Sequence, residues 1–156
     1  MFRRIFLLIT HTGALAIGFA LGIYLLPILT AAPAPDASQL EQEAQAAIYS
    51  GEFTRELRGS DFLHWGEGKI SVTPDRIVHE GKMAPGPDYK LYLTKDFVEH
   101  EDEFDPIKAE AALVGDIKSF QGFIADVPAG IDVSAYSTVV IWCESFGEFI
   151  TAASYK

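Results

Sequence analysis

The chain has 156 residues, 49% of them hydrophobic, with 22 acidic against 12 basic side chains and a net charge of −10. So acidic a surface repels phosphate backbones and anionic lipid, which argues against nucleic-acid binding. The single cysteine excludes an intrachain disulfide framework and a cysteine-ligated zinc site; it leaves a free thiol or an intermolecular bridge.

From Ile5 to Leu29 the chain is apolar apart from Thr10, His11, Thr12 and Tyr24. As a helix this stretch would span about 37 Å against a hydrocarbon core of about 30 Å, so it can cross a bilayer. Arg3 and Arg4 precede it and no base follows until Arg55. The positive-inside rule then predicts a single-pass anchor in the cytoplasmic (inner) membrane, N-terminus inside, with the rest of the chain extracytoplasmic and facing the periplasm. A cleaved signal peptide is the rival reading. It fits less well, because the apolar stretch exceeds the usual h-region of about 7–15 residues and Ala32-Pro33-Ala34 runs directly into Pro35.

Within the anchor, Ala14, Gly18 and Gly22 fall on one face at four-residue spacing, the pattern for a weak homodimer through small-residue packing. His11 lies in the first turns of the span and reads as an interfacial polar residue rather than a haem ligand. Residues 1–30 form the anchor, and 31–52 form an Ala/Pro-rich spacer followed by a juxtamembrane helix. Ser38-Gln39-Leu40-Glu41 has the pattern of a capping box, with Gly51 just past the predicted helix end.

Residues 53–156 read as the folded domain. Lys69 to Thr73 alternates polar and apolar, Pro74-Asp75 turns the chain, and Arg76 to His79 returns, which predicts a hairpin with His79 and Glu80 ending a strand at the surface. Met83 to Asp88 is a loop, and Tyr89 to Thr94 is a strand. Asp105-Pro106 predicts the start of a short helix through Ala112. Strands are expected at Val114 to Lys118, Gly122 to Val127, Thr138 to Cys143 and Phe149 to Ala153. Seven or eight short strands separated by Gly, Pro and Asp predict an all-β domain, a compact antiparallel β-sandwich or barrel.

Thr138-Val139-Val140-Ile141-Trp142-Cys143 has no polar break and reads as a strand buried on both faces at the centre of the domain. Alternation puts Val139, Ile141 and Cys143 on one face and Val140 and Trp142 on the other. Cys143 is the foremost candidate for chemistry; the alternative is an inert, buried small hydrophobe. Glu144 and Glu148, close in sequence, are expected to raise the pKa of its thiol. Glu99 to Asp105 is dense in carboxylates but lacks the spacing of an EF-hand loop, so a solvated acidic loop is expected and no metal site.

Gly86-Pro87-Asp88-Tyr89-Lys90-Leu91-Tyr92-Leu93, then Val114-Gly115-Asp116-Ile117-Lys118, then Tyr136 followed by Val139-Val140-Ile141-Trp142-Cys143, together resemble the DM13 domain of bacterial-type, membrane-anchored proteins. The resemblance covers Phe53 to Tyr155. His64 with Gly68 resembles the family's His-x-x-x-Gly near the domain start, although Trp65-Gly66-Glu67 departs from its usual Ser-Gly ending. The resemblance implies an all-β extracytoplasmic module found beside electron-transfer domains, with the cysteine in redox chemistry as a bare thiol or a haem ligand. For this chain it would make Cys143 the catalytic residue, and Cys143 with His64 the haem-binding pair. No Cys-x-x-Cys-His is present, so such a haem would be non-covalent. Two functions are therefore expected to compete. One is a membrane-tethered redox module working through Cys143, not a stand-alone enzyme. The other is a non-catalytic envelope module that binds or scaffolds a membrane or envelope protein, with Cys143 inert; exposed aromatics among Trp65, Phe120, Phe123 and Tyr136 would favour it.

Overall fold

The computed structural model describes residues 2–156. Its elements are α1 (Phe2–Thr30), α2 (Ala37–Ala44), β1 (Tyr49–Phe53), β2 (Gly66–Val72), β3 (Arg76–Met83), β4 (Tyr89–Thr94), α3 (Glu101–Phe104), β5 (Ala112–Ile117), β6 (Phe123–Asp126), β7 (Thr138–Cys143) and β8 (Glu148–Ser154), with short 3-10 helices at Lys108–Glu110 and Val133–Ala135. Two antiparallel four-stranded sheets, ordered β1-β2-β3-β6 and β5-β4-β7-β8, form a sandwich rather than a closed barrel.

All six residues of β7 are buried, and the strand lies between β4 and β8. The alternation expected from its sequence divides two cores. Val139, Ile141 and Cys143 face the main core between the sheets, where they meet Phe53, Ile70, Ile77, Leu91, Leu93 and Ile150. Val140 and Trp142 face outward into a smaller core with Tyr92, Phe104 and Phe149, capped by Leu57 and Ile107. A strand that is apolar on both faces needs cover on both, and α3 with its following loop supplies the second layer.

Several local expectations give way to tertiary structure. The capping box at Ser38 does not form: α2 begins after Asp36, which caps it without a side-chain hydrogen bond, and ends at Ala44. Gly51 lies inside β1, paired with Ile70, because the chain enters the first sheet by Tyr49. The acidic stretch is not an open loop. His100 caps the short helix α3 by accepting from the Asp102 amide, and Arg58 bridges Asp102 and Glu103 at 2.6 and 2.7 Å. Asp105 stands at the C-terminal end of that helix, and the short helix expected after it is present only as a 3-10 turn, Lys108–Glu110.

His79 is the largest local departure. It sits in the middle of β3, fully buried, with Nε2 3.0 Å from the Glu67 carbonyl and its ring between Phe53 and Phe123. The strand runs on because Gly81 passes so close to Gly68 and the Glu67 carbonyl that a Cβ there would collide with both. Burial pulls the His79 pKa down from 6.5 to about 4. The folded ring therefore stays neutral while the unfolded chain binds a proton below its ordinary pKa, so this stability is whole above pH 6.5 and is lost as pH falls toward 4. The expected loss between pH 7 and pH 5 is about 2 kcal/mol. Urea midpoints should register that loss in the wild type and much less of it in His79→Leu; equal slopes in the two would contradict it.

Candidate functional site

The C-terminal end of β7 places Cys143 in a row across its sheet: Ile117, Tyr89, Cys143 and Glu148 are successive register partners on β5, β4, β7 and β8. Directly opposed residues have Cβ atoms about 5 Å apart, so Tyr89 and Glu148 flank the thiol on one face. Cys143 and Tyr89 are each 3% exposed. The Tyr89 hydroxyl has no hydrogen-bond partner among the described residues. Its ring lies so close to Gly86 that a Cβ there would collide with the ring and its oxygen. The Gly-Pro loop thus exists in the form that lets a tyrosine stand beside the cysteine.

His64 reaches the same place from the loop between β1 and β2. Asp61 organises that loop, accepting from the amides of Leu63 and His64 at 2.7 Å each and lying 3.2 Å from His64 Nδ1. Burial works to raise the Asp61 carboxyl, but those amides and the imidazole outweigh it and hold it below the usual range. The Nδ1 side of the His64 ring is thus held against the Asp61 carboxylate, and Nε2 has no protein partner among the described residues. Arg55 stacks on Trp65 3.3 Å from the ring centroid and pairs with Glu67 at 2.7 Å, which ties the next residues down. Gly68, the other half of the His-x-x-x-Gly pattern, serves the backbone: its φ is +115° and a Cβ would strike the Glu80 carbonyl.

His64, Tyr89 and Cys143 line one cavity of about 390 Å³ with Pro85, Gly86, Pro87, Phe146, Ile150 and Glu148. Its remaining wall is α1, through Ala20, Ile23 and Tyr24. A second apolar hollow of about 400 Å³ adjoins it between α1 and the β7–β8 turn, sharing Ile23, Pro87 and Phe146. The chain after α1 is anchored to the domain by the Ala32 amide, which donates to the Lys118 carbonyl at 2.8 Å.

Burial pushes the Cys143 thiol above its ordinary pKa. The amides of Phe146, Asp88 and Ser145 oppose the rise, and the Asp88 carboxylate adds to it. The direction is the one expected from sequence, with a different cause. Glu144 turns to the opposite face, where it accepts from Lys108 Nζ at 2.7 Å and from the Tyr92 hydroxyl. Asp88, at the end of its loop, has Ser145 Oγ at 3.2 Å and Lys90 Nζ at 3.1 Å. Burial, then the neighbouring Cys143, likewise pushes the Tyr89 phenol well up. Both groups hold their protons at neutral pH. A thiol reagent at pH 7 should label Cys143 in the native chain at least about tenfold more slowly than in the unfolded chain. Equal rates would contradict the burial of the sulfur.

Haem meets only half of what it needs here. Cys143 and His64 are two donors of the right kind for an axial pair. No lysine or arginine lines the cavity to meet the carboxylates of the macrocycle, and Glu148 stands on its wall. The residues present do not fit haem. Among the described residues there is also no cluster of His, Cys, Asp and Glu arranged to hold a metal ion.

Tyr89 is the residue that sequence reasoning missed. It stood within a quoted motif as one aromatic of an alternating strand; the signal for its role is its register opposite the only cysteine, which exists only once β4 and β7 are paired.

Comparison with known proteins gives one result. A family model described as "Electron transfer DM13" matches residues 56–155, which is 100 of the 156 residues. No curated protein and no solved structure matches the chain.

Proposed function

The chain belongs to the DM13 electron-transfer family, and from that premise we propose that it is a membrane-tethered extracytoplasmic module that passes electrons at the cavity beside Cys143. The observation that carries this reading is the convergence of His64, Tyr89 and Cys143, distant in sequence, on one apolar cavity. Apolar walls exclude water and strengthen each polar contact made inside. Cys143 and Tyr89 offer protonated S–H and O–H groups to an electron-carrying molecule, and His64, oriented by Asp61, offers a further ring nitrogen for hydrogen bonding. Purified full-length protein loaded with its carrier should show a reversible redox wave. A chain that is electrochemically silent with every carrier offered would sink the proposal.

Tethering rests on α1, one helix long and apolar enough to span a membrane. Arg3 and Arg4 favour a cytoplasmic N-terminus. Protease added to intact spheroplasts should then digest the domain and remove a C-terminal tag. Survival of the tag, in cells whose outer layer is demonstrably open to protease, would overturn the orientation; a freely soluble, shortened product would indicate a cleaved signal.

The binding or scaffolding alternative gains no support from the aromatics that would have favoured it. Phe120 and Phe123 are buried in the main core, and Trp65 and Tyr136 are half-buried. Outside α1, the exposed aromatics are elsewhere, at Phe62, Phe97 and Phe146.

A further inference from the structure

The cavity beside Cys143 has a lipid-side wall. Counted from Ile5, a span of about 20 residues ends at Tyr24, which puts Tyr24 at the outer interface, where tyrosines collect. Ala20, Ile23 and Tyr24 form the α1 wall of the cavity, so its mouth lies at the boundary between hydrocarbon and headgroups. Around that mouth the domain turns apolar side chains outward instead of covering them: Leu63 lines the cavity beside Phe62, which is 84% exposed, and Phe146, 53% exposed, lines both hollows. On a surface as acidic as this one, such residues beside a membrane helix are the edge that faces lipid.

The interior specifies the visitor. Tyr89 lines the cavity with a hydroxyl that has no protein acceptor among the described residues, and the neighbouring thiol is protonated, so the cavity presents two hydrogen-bond donors. No lysine or arginine lines either hollow, and Glu148 stands on one wall, so an anionic ligand is disfavoured. His64 Nε2 adds one acceptor. A neutral ring carrying carbonyls in its oxidised form and hydroxyls in its reduced form satisfies both, the carbonyl accepting from Tyr89 and the hydroxyl donating to His64 Nε2. The adjoining hollow along Phe19, Gly22, Ile23 and Leu26 suits an alkyl tail.

We propose that this cavity binds a lipid-dissolved quinone, its ring beside Tyr89 and Cys143 and its tail along α1. The proposal rests on the reading that α1 lies in a bilayer, and it names the carrier for the electron-transfer site. The test uses the full chain in phosphatidylcholine nanodiscs with a decyl-tailed azidobenzoquinone as photolabel, its sites mapped by mass spectrometry. Label is expected on Gly86 to Tyr89 and on Phe146 to Ile150, displaced by a decyl-tailed, fully ring-substituted benzoquinone that has no ring carbon free to add a thiol. Tyr89→Phe, which removes one hydrogen bond, should weaken that displacement about tenfold. Ala20→Trp, which fills the mouth from the exposed helix and leaves the domain core untouched, should abolish the site-specific label. Label spread along α1 without competition, or label unchanged in Ala20→Trp, would mean that the quinone is merely dissolved in lipid and would overturn the proposal. Occupancy is read without electron transfer, so bound quinone in an electrochemically silent chain would count against the function alone, whereas a redox wave without quinone labelling would count against this ligand alone.

Discussion

Replacing Ile141 by aspartate is expected to abolish folding of the domain. Ile141 is fully buried in the main core, paired with Leu91 on one side and Thr151 on the other. A carboxylate there has no cation within the main core, so it is either buried unpaired or the strand is expelled. The loss of the isoleucine alone costs about 2–5 kcal/mol, and the buried polar group adds several more, against a total stability of about 5–15 kcal/mol. Circular dichroism of the full chain in detergent should keep the helical signal of α1 and lose the β component. Ile141→Val, costing about 0.5–1.5 kcal/mol, should fold and melt slightly earlier. An Ile141→Asp protein that melts like the wild type would show that β7 is not the centre of the sandwich.

That prediction was already legible in the sequence, because β7 has no polar break and its two faces follow from alternation alone. The Lys69 to His79 hairpin and the strand at Tyr89 were legible for the same reason: local period and turn residues act over a few positions. What period cannot convey is which faces meet. His79 resembles a strand-end histidine until Gly81 and Gly68 let two backbones close over it. The sequence leaves open whether Phe120 and Phe123 face solvent or the core, and both pack into the main core. The helix expected from Asp105 shrinks to a single 3-10 turn at Lys108–Glu110, while the acidic stretch before it, paired with Arg58 more than 40 residues away, forms the short helix α3. The candidate site was legible in part. Cys143 stood out as the lone thiol at the end of a buried strand, and His64 through a motif. Their convergence depends on the Asp61 turn, on the Gly86 to Tyr89 contact and on α1 folding back as a wall, none of which leaves a periodic trace.

Replacing Cys143 by alanine is expected to separate fold from function. The sulfur is one small buried group at a strand end, and its removal should cost on the order of 1 kcal/mol, leaving the circular dichroism spectrum in place. If the thiol serves only as packing, nothing else should change. If it meets the electron carrier, electron uptake should fall by about a hundredfold or more, the scale typical of removing one donor aimed at the reacting group in a water-excluded site. Cys143→Ser tests the cause. It keeps a small donor at the same place, so it should retain more of the electron uptake than alanine does while costing more stability, since a hydroxyl in that row of the sheet is less tolerant of burial than a thiol.

The most direct measurement is voltammetry of the full-length protein in nanodiscs, loaded with the decyl-tailed, fully ring-substituted benzoquinone, corrected for protein-free nanodiscs carrying the same quinone, and compared with its Cys143→Ala variant at matched loading and with melting curves recorded alongside. Electron transfer at the cavity beside Cys143 predicts a reversible wave in the wild type that is largely lost in Cys143→Ala, although that variant melts within a few degrees of the parent. A wave of equal height and potential in both proteins, or in neither, would contradict it.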